Sequence, residues 1–368
     1  MQTTTTTTQT PPQERAALPA VFEGIAAQDS ALRVLQHALH SDRIAHAYLF
    51  EGPSGVGKQR AAVGLACALL CPIARAHGSE RCTCSTCERV RAENHPDVRI
   101  FRPRDEGDRN LQVELIRSEL LPFSKFAPFE AEAACVIFPE ADVSFPIHHA
   151  EAANALLKTL EEPRPRVTFL LLSERPDRLL PTIRSRCQRV RFRPLPASAL
   201  TSIMESHAVP EAVRAPAVAL SQGRADRALA LSADNLVEKL VDVVLRVDEA
   251  VATGKPGDLL DLAHELAGND QLELLLSALS LFYRDVAHIA LQTPDPSLSF
   301  PHLMPALTVR AQSLGALACA ERVAAIAAAG EAIDRNANAE IALDALLFGF
   351  ATGKFEPIKL VAPKPRRR

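Results

Sequence analysis

The chain has 368 residues, of which 47% are hydrophobic and 23% charged. These are the proportions of an ordinary folded protein and exclude wholesale disorder. At roughly 150 residues per domain the length predicts two or three domains. The 41 Lys+Arg against 44 Asp+Glu leave a net charge of −3, so no global basic field points to nucleic acid, and contact with DNA has to come from a local patch or through partners. No apolar run reaches the ~18 residues of a membrane helix, and the N-terminus lacks the charged-then-apolar order of a signal peptide. A soluble, cytoplasmic protein is expected.

Residues 1–17, with the Thr3–Thr8 run and Pro11-Pro12, carry too few apolar side chains to fold. From Val21 to Phe192 short apolar runs alternate with helical patterns. Ala47–Phe50, Val98–Phe101, Cys135–Phe138, Phe169–Leu172 and Val190–Phe192 predict strands, with helices around 60–70, 112–121, 149–161 and 181–186. That alternation implies a parallel sheet flanked by helices. Residues 194–234 read as helical only, over Leu195–Val209 and Val213–Leu231. Residues 235–355 read as a helical bundle, with breaks near Gly254–Gly257, Thr293–Pro301 and Gly330. Leu274, Leu275, Leu276 and Leu279 are its expected core and subunit-contact residues. Residues 356–368 end in a basic tail, Lys364-Pro365-Arg366-Arg367-Arg368.

Gly52-Pro53-Ser54-Gly55-Val56-Gly57-Lys58 follows a predicted strand and opens a predicted helix. In that context glycines let backbone N–H groups cradle phosphates, with Lys58 reaching the terminal ones. The next residue is Gln59, where a nucleotide hydrolase places a Ser or Thr hydroxyl on magnesium. After the strand ending at Phe138, Pro139 stands where a metal-holding aspartate belongs, and Glu140 occupies the neighbouring position. With both magnesium contacts replaced, the loop is expected to keep its shape without hydrolysis; residual binding of nucleotide stays open.

Four of the eight cysteines lie between Cys71 and Cys87. In a reducing compartment such clustering points to metal rather than disulfides. Cys84-Ser85-Thr86-Cys87 forms a knuckle that converges two thiolates, and Cys71 and Cys82 complete a tetrahedral zinc set. Only Thr83 separates Cys82 from Cys84, which leaves His77 as a substitute ligand. Four protein ligands leave no open position, so the zinc would be structural. Cys67, Cys135 and Cys319 are expected in the core. His148-His149 has no acidic or cysteine companion at ligand spacing and reads as surface.

Phe22–Gln28, His46–Pro53, the cysteine cluster, Asn94-His95-Pro96-Asp97, Ala152–Pro163 and Ile183-Arg184-Ser185-Arg186-Cys187 together resemble the bacterial clamp-loader AAA+ proteins. The resemblance is dense from Val21 to Phe192. It implies a RecA-like α/β domain over residues 18–193 with a zinc module at 71–87, a small helical lid over 194–234 and an all-α collar domain for oligomerisation over 235–355. Within the family the lost magnesium ligands point to the delta-prime branch rather than the gamma/tau motors. Gly223-Arg224-Ala225-Asp226-Arg227-Ala228-Leu229 agrees, since Asp226 stands where the family's sensor has arginine.

The resemblance further implies a hetero-pentameric ring with delta and gamma/tau subunits, acting in DNA replication to load the sliding clamp onto primed DNA. The chain would have no activity of its own inside the DNA-directed DNA polymerase (nucleotidyltransferase) holoenzyme. Arg186 would be an arginine finger for the ATP site of an adjoining subunit, with Arg184 its nearest decoy. Asn154 and Lys158, four apart on one helix, could face DNA, a neighbour or solvent. Ser173 falls at the family's first nucleotide sensor. The competing reading is an active gamma/tau-like ATPase with an unusual magnesium shell.

Overall fold

The computed structural model describes residues 20–76, 82–103, 111–146, 150–233, 235–294, 296–335 and 337–355. The readings made for the N-terminal segment, His77, His148-His149 and the basic tail fall outside these residues. The chain divides between Pro194 and Leu195 into two compact units.

The first unit is built on a five-stranded, wholly parallel sheet: β1 (Ala47–Glu51), β2 (Val98–Ile100), β3 (Ala134–Phe138), β4 (Val167–Ser173) and β5 (Gln188–Arg191), in the order β2-β3-β4-β1-β5. All five strands expected from the apolar runs are present. Every residue of β1, β3 and β4 is buried, as strands covered on both faces must be. The edges are short, and β5 exposes Gln188, Arg189 and Arg191, charges that discourage further strand pairing.

Its helices are α1 (Asp29–His40), α2 (Lys58–Leu70), α3 (Pro72–Ala76), α4 (Ser85–Arg91), α5 (Val113–Leu115), α6 (Leu121–Lys125), α7 (Ala141–Ser144), α8 (Ala150–Glu161) and α9 (Pro181–Arg186). The helix expected at 112–121 runs on through α6 and widens to a π pitch at Ile116–Leu120. Pro122 lacks an N–H and would collide with the carbonyl four residues back, and the wider turn relieves this. Phe138 anchors the core on this side, with ring centroids 5.7 Å from Phe101 and 4.9 Å from Phe145.

The second unit is helical throughout its described residues: α10 (Ala197–Ser206), α11 (Glu211–Leu220), α12 (Ala225–Leu231), α13 (Leu236–Thr253), α14 (Pro256–Ala267), α15 (Leu272–Ala290), α16 (Met304–Asp334) and α17 (Ala339–Thr352). Two expectations are corrected here. Val213–Leu231 is not one helix: the chain turns at Gln222 and Gly223, both at positive φ, and restarts as α12. Gly330 breaks nothing; it lies inside α16 near Leu276. The interruption in α16 is instead at Gly315, with φ 70° and ψ 167°. Leu275, Leu276 and Leu279 are buried as expected, Leu274 only half so. Arg322 is buried between the rings of Tyr283 and Phe350 and donates to the Phe350 carbonyl at 2.7 Å.

Candidate functional site

The glycine loop leaves the C-terminal end of β1, between β4 and β5. Parallel sheets of this kind place their ligand crevices at the carboxyl ends of strands where the strand order reverses. Gly52, Gly55 and Gly57 all have positive φ, and Gly57 caps α2 in the left-handed region. Lys58 is buried, and its Nζ donates to the carbonyls of Gly52, at 2.6 Å, and Pro53. Gln59 points elsewhere: its amide is 3.4 Å from Glu93 Oε1, a carboxylate that also pairs with Arg102.

Pro139 and Glu140 follow β3 directly. The nearby carboxylate of Asp142 is occupied, accepting from the backbone N–H groups of Glu174 at 3.3 Å and Arg175 at 3.1 Å. Asp142 therefore holds the turn after β4. Ser173, at the end of that strand, accepts the Gly52 N–H through its carbonyl at 3.1 Å, and its hydroxyl is buried without a partner among the described residues. Single-sequence reasoning missed Asp142. It also missed Glu51, which is buried at the start of the loop and held by Arg189 and Arg191 of β5. A charge ending an otherwise apolar strand was the available signal.

The four sulfurs of Cys71, Cys82, Cys84 and Cys87 lie within 4.8 Å of one another. Cys71 closes α2 and Cys84 caps α4, so the two helix ends bring the distant halves of the pattern together. The Cys71 Sγ is 3.5 Å from that of Cys84 and 4.0 Å from that of Cys82. Four thiolates placed ~2.3 Å from a tetrahedral zinc would be about 3.8 Å apart, so this donor set could hold a metal ion. The Cys87 N–H bonds to the Cys84 sulfur and pulls that thiol down to about 7, while burial pushes Cys71 and Cys87 up. Cys67, Cys135 and Cys319 are buried and unbridged, as expected of core thiols.

The module is tied to the rest of its unit. Arg91 of α4 donates to the Cys82 carbonyl, and Arg89 pairs with Glu130. Glu130 sits on a loop fixed by Asp97, whose carboxylate accepts from the backbone N–H groups of Phe129, Glu130 and Ala131. His95 is buried beside it and accepts the Asp97 N–H on Nδ1 at 3.1 Å. Asn94-His95-Pro96-Asp97 is thus the clasp between the cysteine-bearing segment and the loop that leads into β3.

Arg186 is the last residue of α9, and its side chain is 32% exposed. It donates to the Thr182 carbonyl at 2.9 Å and to Glu161 at 2.5 Å. Arg184 is half-buried, with its Nε out of contact with solvent. Burial pushes the Cys187 thiol up to about 12, far from a nucleophile's range. Asn154 and Lys158 share an exposed face of α8. In the second unit Asp226 binds the N–H of Arg227 and pairs with Arg224, while Arg227 lies 3.6 Å from Glu273.

Residues 27–196 match the family model described as "DNA polymerase III, delta subunit". The chain is 32% identical to the DNA polymerase III subunit delta' of Bacillus subtilis over 73% of its own length and 79% of that protein. It is 37% identical to the subunit delta' of Pseudomonas aeruginosa over 48% of this chain and 51% of the relative. It is also 34% identical to the subunit tau of Bacillus subtilis, over 50% of this chain and 31% of tau. No helix among the described residues is long and apolar enough to cross a membrane. On its parallel sheet, its glycine loop and an identity spanning most of a delta' relative, this chain belongs to the delta-prime family of DNA polymerase III clamp-loader subunits.

Proposed function

We propose that the chain is an ATPase-inactive subunit of the clamp loader. It assembles with delta and gamma/tau subunits, supports placement of the sliding clamp on primed DNA, and supplies Arg186 to the ATP site of an adjoining subunit. In this reading α10–α12 form the lid, α13–α17 the collar, and the four cysteines hold a structural zinc.

One observation carries the proposal: the loop keeps its cradle, yet neither magnesium position offers a suitable oxygen. Gln59 is directed to Glu93 and the Pro139 side chain has no ligand atom. Without the metal, charge developing on a transferring phosphoryl group is not neutralised. The motor reading would need an oxygen donor at one of those positions; Glu140 is the adjoining residue, and the Asp142 carboxylate is already bonded to the Glu174 and Arg175 N–H groups.

The experiment is to assemble the loader with Arg186→Ala and measure ATP turnover stimulated by clamp and primed DNA. Arginine fingers contribute ~10³–10⁵ in turnover elsewhere. Assembly should survive while turnover falls by about tenfold or more, a conservative fraction of that range. Unchanged turnover removes Arg186 from the role.

A further inference from the structure

The arginine that would serve a neighbour already has an anion on its own chain. One nitrogen of Arg186 donates to the Thr182 carbonyl, and another reaches Glu161 Oε1 at 2.5 Å. Glu161 is the last residue of α8, and Glu162 follows it. Two carboxylates at a helix C-terminus face the negative end of the helix dipole, where a cation is favoured. Arg186 provides that cation.

The two side chains are 32% and 48% exposed, so water competes for both and the pair is weakly held. A phosphate oxygen carries the same sign of charge as the carboxylate and suits the same planar fork of donors. It can therefore take the place of Glu161 without leaving the guanidinium unpaired at any stage.

We propose that Glu161 is the resting partner of Arg186, a carboxylate in cis that keeps the finger docked until the triphosphate of an adjoining subunit displaces it. The proposal rests on the finger reading above. Glu161 is then a positioning residue. It sets how readily Arg186 leaves its own domain, and its charge holds down turnover before clamp and DNA arrive.

The test assembles the loader with delta and gamma/tau subunits, using Glu161→Gln, Arg186→Ala and the double variant. ATPase is followed over a range of ATP concentrations, with and without clamp and primed DNA. Glu161→Gln should raise the unstimulated rate about threefold, the scale of one exposed ion pair, and lower KM while leaving the stimulated kcat unchanged. In the Arg186→Ala background it should change nothing. A purely structural pair would shift Tm and leave the unstimulated KM where it was, which counts against the proposal. An unstimulated rate unchanged or lowered by Glu161→Gln, with Arg186→Ala still reducing turnover, overturns the latch and leaves the finger standing. Full turnover in Arg186→Ala overturns both.

Discussion

A Cβ placed on Gly52 would sit 2.3 Å from the carbonyl oxygen of Phe192. The contact exists because β1 runs between β4 and β5: the Gly52 N–H bonds to Ser173 on one side, and Phe192 donates its N–H to Glu51 on the other. With φ at +145°, position 52 combines a backbone close approach with a conformation that favours glycine. Gly52→Ala should lower stability by about 1–3 kcal/mol, the range of overpacking effects. Thermal unfolding of the full chain should show Tm lower by several degrees. An unchanged Tm would mean that the loop can move away from β5 at little cost.

The order of strands and helices in the first unit was legible because central parallel strands bury both faces and so appear as apolar runs, such as Phe169–Leu172. The cysteine set was equally plain, since Cys82, Cys84 and Cys87 are close in sequence and Cys71 lies at a helix end. Features that depend on the third dimension did not show. Asp142 reaches Glu174 and Arg175, Glu51 reaches Arg189, and Arg186 reaches Glu161, all across gaps that local periodicity does not register. Gly330 misled for a different reason: a lone glycine is tolerated inside a helix held by packing, and a Cβ there would make only ordinary contact with Leu276, at 3.8 Å.

Lys58 gives the cleanest enzymatic prediction. A hydrolysing loop depends on its lysine and on magnesium together, and in the inactive reading proposed above only the lysine remains. The purified chain should hydrolyse ATP no faster than its Lys58→Ala variant in a steady-state phosphate-release assay. Turnover that disappears with Lys58 would establish a working site and reject the inactive reading.

Metal content is the next expectation. Elemental analysis should find about one zinc per chain, the stoichiometry of a closed four-thiolate site. Cys84→Ser with Cys87→Ser should release it and lower Tm, because structural zinc binding is coupled to folding. The loss should reach the Arg89–Glu130 contact, since Arg89 stands on the helix that Cys84 caps. Wild-type chain that is free of metal and as stable as the serine variant would reject the assignment.

His95 predicts a pH dependence whose sign follows from its surroundings. Burial holds its pKa below the ordinary 6.5, outweighing the attraction of Glu130. The ring is neutral, accepting the Asp97 N–H on Nδ1, and Nε2 lies 3.1 Å from Glu130 Oε1. Between the lowered native value and 6.5 the unfolded chain therefore binds a proton that the native chain does not. Stability rises with pH across that window and is lost on acidification through it. His95→Asn keeps an acceptor near the Nδ1 position and removes the titration. Tm measured from pH 7.5 to pH 5.5 (~one unit either side of the free imidazole value) should fall more steeply for the wild type than for His95→Asn. The comparison cancels contributions from the thiolates, which both proteins share. Parallel curves would show that His95 titrates alike in the folded and unfolded chain, and the clasp would then owe nothing to its burial.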